Sequence, residues 1–484
     1  MNVWHLRHAG GCDRIRLPRW LDLAAALGSD GGMRYLFGIV CLALAACAPD
    51  DRHQPVTEPP EPVAGVTRAN TEIARDFLDL SFRLESGRHL PVLSRFEGPV
   101  TVRLVPPAPP LASEDLDALL GRLRAEAGVD LHRVNGPAAI TISFVPHAQI
   151  TEAMPEVACF VVPGVSDWAG YLAARGTRQL DWSRLGQRQR IAVFLPSDST
   201  PQEVRDCLHE ELAQAIGPLN DLYRLPDSIL NDDNFHNTLT TFDMLVLRIY
   251  TGPELRSGMR RSEVAALLPD LLRQLNPAGE SAPPAHSGGP EPQIWHSAIS
   301  RATDRQNPVA QRRAAAAHAL RIARAEGWKD GRLAFSLFLN GRLLVGRNPK
   351  AAWDNLLDAR KIYARLPDAQ IHAAHVDMQL AAIALAADAL SLAAEIADGA
   401  IPVARDAGNS ALLATLILIK AEALDRGGQH QAAKALRLDS AGPARYGFGD
   451  DAAAELLQDV AVIGRRNSAT VSPPQDTRSG QEEE

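Results

Sequence analysis

Between Asn276 and Gln293 the chain changes character, and this break most constrains what it can become. The run Pro277-Ala-Gly-Glu-Ser-Ala-Pro-Pro284, followed by Ser287-Gly-Gly-Pro-Glu-Pro292, is linker chemistry. Strand-like apolar runs lie before it, and an alanine-rich helical pattern lies after it. The length of 484 residues agrees, since about 100–200 residues per domain predicts two or three domains. A hydrophobic content of 46% excludes a wholly disordered chain. The balance of 50 basic against 58 acidic residues argues against sequence-independent binding to nucleic acid, which needs a basic face.

Upstream of the break, a helical stripe starts near Thr71 with Ile73, Phe77, Leu80 and Leu84. Val100–Val105 reads as a short strand, and Ser113 to Ala127 as an amphipathic helix capped by Ser113. Ala139–Val145, Ala158–Val162 and Arg190–Leu195 read as three further strands. Thr200 and Pro201 then mark a helix start, as cap and first helical residue. The order β-α-β-β-β-α predicts a mixed sheet backed by helices.

Downstream, helix-sized blocks near 312–326, 331–346, 349–365, 369–387, 389–404 and 410–426 alternate with Gly, Pro, Asn or Asp breaks. Ala352, Leu356, Ala359 and Tyr363 form one stripe of a helix. Paired helices repeating every ~35–40 residues resemble tetratricopeptide-like solenoids, without that family's Trp-Leu-Gly-Tyr signature. A plain helical bundle is the competing arrangement. Residues 467–484 are polar and expected to be disordered.

Met33-Arg34, the apolar run Tyr35–Ala43 and Leu44-Ala-Ala-Cys47 have the parts of a secretory signal. The ending resembles the bacterial lipobox, which implies lipidation at Cys47. Residues 1–46 are then a leader whose translation starts at Met33, with the signal peptide at 33–46, and 47–70 are a lipidated tether. The expected location is the bacterial cell envelope, facing the periplasm, on the outer membrane rather than the inner. Cys159 and Cys207 remain as an even pair in an oxidising compartment, either bridged or two buried thiols.

The densest polar stretch is Cys207-Leu-His-Glu-Glu-Leu-Ala-Gln-Ala-Ile-Gly-Pro-Leu-Asn-Asp221, with Ser228-Ile-Leu-Asn231 and Leu239–Gly252 after it. On a helix, Glu210 and Gln214 share one face, Glu211 stands beside them, and Gly217 lets Asn220 or Asp221 return. This layout resembles the metzincin branch of the zinc peptidases, His-Glu-x-x-His-x-x-Gly-x-x-His/Asp. The resemblance implies a zincin fold over about 180 residues and peptide hydrolysis, with Glu211 as general base. Glu210, Gln214 and Asn220 or Asp221 would hold a divalent metal. Both helical histidines of the pattern are replaced, and Leu230 stands where its methionine turn has Met. The implied ion is zinc by analogy, or an oxygen-preferring ion, or none. His209 and His236 are expected as supporting donors or further ligands. Asp232, Asp233 and Asn234 read as turn chemistry first and calcium ligands second.

The lipobox, Cys-Leu-His-Glu-Glu-Leu-Ala-Gln and the alanine-rich helices also resemble an uncharacterised proteobacterial lipoprotein family. The expected fold is an α+β zincin-like domain (71–265), a helix end and Pro/Gly linker (266–298), and an all-α, tetratricopeptide-like helical-repeat domain (299–466). The expected function is that of a lipid-anchored envelope protein with a degenerate metallopeptidase-like domain. Its partners would be the membrane, through Cys47, and a peptide or protein. The alternative is a non-catalytic envelope scaffold whose helical domain binds a protein. A cytosolic regulator follows only if the lipobox reading fails.

Overall fold

The computed structural model describes residues 66–155, 157–284 and 291–465. The leader, Cys47, most of the tether and the polar tail lie outside the described residues. Helix α1 (Asn70–Ser81) comes first and buries Ile73, Phe77 and Leu80, its periodic apolar positions. Fully burying such a side chain contributes about 1.5–3 kcal/mol.

The α/β region follows as β1 (Val100–Leu104), α2 (Ala112–Glu126), β2 (Leu131–Arg133), β3 (Ile140–Val145), α3 (His147–Ala153), β4 (Phe160–Pro163), α4 (Trp168–Ala174) and β5 (Ile191–Pro196). The strands form one mixed sheet in the order β2-β1-β3-β5-β4. β1, β2, β3 and β5 run parallel, and β4 alone pairs antiparallel, at one edge. Every residue of β5 is buried, which is why it reads as an unbroken apolar run instead of an alternating one.

The structure adds β2, α3 and α4 to the order expected from sequence, along with two short 3-10 turns. β2 has only three residues, too few to display a period of two, and α3 and α4 are two-turn helices. Helix α5 (Pro201–Ile216) leaves β5 and returns across the sheet, with α6 (Thr241–Thr251) and α7 (Arg261–Leu275) completing this core.

Beyond the break the chain is helical: α8 (Gln293–Thr303), α9 (Val309–Ala325), α10 (Gly331–Leu344), α11 (Pro349–Tyr363), α12 (Gln370–Ala386), α13 (Leu390–Asp406), α14 (Ser410–Arg426), α15 (His430–Asp439) and α16 (Ala441–Arg465). The last is interrupted at Gly449, whose φ is 77°. Consecutive helices pack as neighbours, and their pairs start at residues 309, 349, 390 and 430. The unit is therefore about 40 residues, longer than the 34 of a tetratricopeptide repeat. Ala352, Leu356, Ala359 and Tyr363 all lie inside, and small side chains let the helices approach closely. Among the described residues no helix is long and apolar enough to cross a membrane.

The two regions share an interface. Gln202 donates from Nε2 to Asn409 Oδ1 at 3.2 Å, and its Oε1 accepts the Ala411 N–H at 2.9 Å. Arg205 donates to Gly408 O at 2.8 Å and lies over the Tyr446 ring. In the loop after α5, Phe235 enters the helical core, with its ring centroid 5.2 Å from Phe338 and 4.6 Å from His375. The helical array therefore presses on α5 and on the loop that follows it.

Candidate functional site

Local chemistry sets α5 in place. Thr200 Oγ1 accepts the Glu203 N–H while Glu203 accepts the Thr200 N–H, and Pro201 occupies the first helical position. At the other end Arg188 donates to the carbonyls of Gln214 (2.6 Å), Ala215 (2.8 Å) and Gly217. A buried guanidinium there satisfies carbonyls that a helix end leaves open and complements the negative end of its dipole. Cys207 is joined to Cys159, tying α5 to the edge of the sheet where β4 lies, with Cα atoms 6.1 Å apart.

The return loop is built around Asp243. It accepts from Ser228 Oγ, from the Ile229 N–H at 3.0 Å and from the Thr240 N–H at 2.8 Å. One carboxylate thus anchors the 228–231 turn to the start of α6. Asn231 adds a bond to Leu225 O at 2.7 Å, so the turn is held from both sides.

This scaffold gathers part of the expected site. Glu210, Glu211 and Asp221 come together in one buried neighbourhood, joined by Glu85 and Asp232. Burial, then repulsion from Glu210 and Glu85, pushes the Glu211 carboxyl well above the ordinary range. Burial followed by Glu85 and Asp232 does the same to Glu210 and Asp221. Asp232 is raised to about 7 by burial, with Glu85 next. Glu211 is 0% exposed and neither of its carboxylate oxygens has a hydrogen-bond partner; Asp221 Oδ1 also lacks one.

Other expected residues have structural work. Gln214 Nε2 donates to Glu85 Oε1 at 3.4 Å, and Asn220 donates to Asp79 O at 3.0 Å. His209 Nδ1 accepts the Leu239 N–H at 3.0 Å, and burial holds its ring well below the usual histidine range, hence neutral. His236 bonds through Nε2 to Pro226 O at 2.8 Å and is lowered by burial to about 4. Asp233 serves the turn through Asn231 and Phe235, but Asp232 belongs to the acidic cluster.

Glu85 was invisible to sequence reasoning. It lies in the turn before the Arg83–His89 bridge closes, far from α5 along the chain, and no local pattern marks it. Asp232 sat inside a run that turn chemistry already explained.

Among the described residues no group of three or more His, Cys, Asp or Glu side chains is placed to hold one metal ion. The nearby donors are mostly oxygens; His209 and His236 are committed to structural bonds, and His296, which also faces Asp232, pairs with Glu291 at 3.0 Å. These side chains do not fit a zinc centre of the kind the metzincin resemblance implies.

Residues 70–270 match the model of a family described as a protein of unknown function, DUF2927, and the all-helical region follows it. No curated protein matches the chain. No solved structure matches it either.

Proposed function

We propose that this chain is a non-catalytic interaction protein of the bacterial cell envelope, in which a degenerate zincin-like domain carries a docked helical-repeat array. One observation carries the reading: His209 and His236 are engaged in structural bonds, His296 pairs with Glu291, and among the described residues no three donors converge on an ion. The mixed sheet, the helix after it and the Asp243-anchored turn support zincin ancestry. The ~40-residue helical pairs suit a partner-binding surface, as stacked repeats generally do. Envelope location rests on the lipobox at Cys47.

A second reading has its own support. The unbonded oxygens of Glu211 and Asp221 are what a missing cation would leave behind, and a metal-dependent peptidase would use Glu211 as general base. Metal analysis of chain purified without chelator separates the two. The non-catalytic reading expects no stoichiometric metal and no peptide hydrolysis. About one zinc or manganese per chain, lost in Glu210→Ala and Gln214→Ala, with hydrolysis abolished by Glu211→Gln, would overturn it. Membrane fractionation with and without Cys47→Ser tests the anchor, which predicts release of the variant.

A further inference from the structure

We propose that the acidic cluster on α5 is a binding site for an organic cation, a guanidinium or primary ammonium group, with Glu211 and Asp221 at its floor. The inference rests on the non-catalytic reading of this same site.

Elsewhere in the domain several buried carboxylates are paired with the chain's own arginines. Asp76 lies between Arg68 and Arg224, and Arg68 also donates to Asp227 at 3.1 Å. On α5, Asp206 still pairs with Arg205, but the pattern does not reach Glu211 and Asp221. No described Arg, Lys or His forms an ion pair with Glu211 or Asp221. Glu211 is fully buried with both oxygens unbonded, and Asp221, 5% exposed, has one unbonded oxygen. A buried carboxylate without donors is costly to keep, so such oxygens point to a ligand that supplies them.

The placement of the carboxylates selects the kind of cation. No three of them can share one metal ion, which requires donors at ~2–2.6 Å from a single point. A guanidinium carries five N–H donors on a planar fork, and an ammonium carries three, so either reaches carboxylates set further apart. Glu85 and Asp232 are only partly buried, whereas Glu210, Glu211 and Asp221 are buried, so the cluster runs from a rim to a floor. Gln214, bonded to Glu85, braces that rim. A long side chain with a terminal cation would enter there and place its charge over Glu211.

Calorimetric titration of the full chain tests the assignment. The probes are agmatine, the blocked tripeptides Gly-Arg-Gly and Gly-Lys-Gly, the neutral citrulline analogue, and Ca²⁺ or Mn²⁺ alone. Binding is expected for a cationic probe and absent for citrulline. It should fall at least about tenfold in Glu211→Gln, in Asp221→Asn and in the rim variant Asp232→Asn, each checked for native circular dichroism. Tighter binding of the tripeptides points to a polypeptide side chain as the source, and tighter binding of agmatine to a free amine; both support the site. No cationic binding, or binding unchanged in all three variants, overturns it. If metal is also absent, the non-catalytic reading survives that result. Stoichiometric Ca²⁺ or Mn²⁺ that no cationic probe displaces overturns the inference, and hydrolysis with that ion overturns both.

Discussion

His372 on helix α12 bonds through Nε2 to Asp233 Oδ2 at 2.8 Å, and neither side chain is more than 5% exposed. The two residues belong to different regions of the chain. Around the bond, the His372 ring lies 4.8 Å from Phe235 and 4.8 Å from Tyr363, centroid to centroid. One loop of the α/β region is therefore held inside the helical core by a polar contact sheathed in aromatic rings. His372→Ala should cost about 2–4 kcal/mol, through the cavity and the lost bond together. Denaturant midpoints measure that loss, and hydrogen exchange should rise in α12 and in residues 228–240 together. An unchanged midpoint would mean that this contact does not hold the regions together.

A second test addresses the contact between α14 and α16 that backs Gln202, and uses Gly447. A Cβ there would stand 2.6 Å from both Cα and N of Ala411, whose N–H is donated to Gln202. Helix propensity alone predicts that Gly→Ala stabilises by up to about 1 kcal/mol. Because the clash is with backbone, Gly447→Ala should instead lose about 1–3 kcal/mol in thermal or chemical unfolding.

The acidic interior gives stability a pH dependence with a defined sign. Burial raises Asp206 to about 7 and Asp227 to about 6, both against an ordinary value of 3.8. The folded chain therefore binds more protons than the unfolded one between about pH 4 and about pH 7. The contribution of these groups is full below their unfolded values and is lost as pH rises through the folded ones. Unfolding midpoints compared at about pH 5 and about pH 8 should show a smaller decline in Asp206→Asn than in the parent chain. An identical decline would assign the dependence elsewhere.

The Cys159–Cys207 bridge spans 48 residues of sequence. A closed loop of that size constrains the unfolded chain by about 4 kcal/mol on the entropic model. The double substitution Cys159→Ser and Cys207→Ser should lower stability by about 2–4 kcal/mol, read from denaturant midpoints. Reductant should do the same to the parent chain and nothing to the variant.

Legibility followed the range of the interaction. The helices of the array show in sequence because a period of 3.6 is local: Ala352, Leu356, Ala359 and Tyr363 announce one buried face. The α5 start was equally plain, since Thr200, Pro201 and Glu203 make their capping bonds within one turn. Counting cysteines, once the leader was set aside, left Cys159 and Cys207 as either a bridge or two buried thiols, and the structure joins them. Glu85 had no such signal, because its place beside Glu210 depends on how the turn after α1 meets α5.

What the sequence by itself determined is the division at the linker, the helical register of both halves and the spacing of Glu210, Glu211 and Gln214. Those features follow from backbone geometry over a few residues. Tertiary structure alone decided the sheet order, the engagement of His209 and His236 in structural bonds, and the gathering of carboxylates around Glu211. Most of these join residues far apart along the chain, where hydrogen-bond satisfaction and charge repulsion act only after the core has formed.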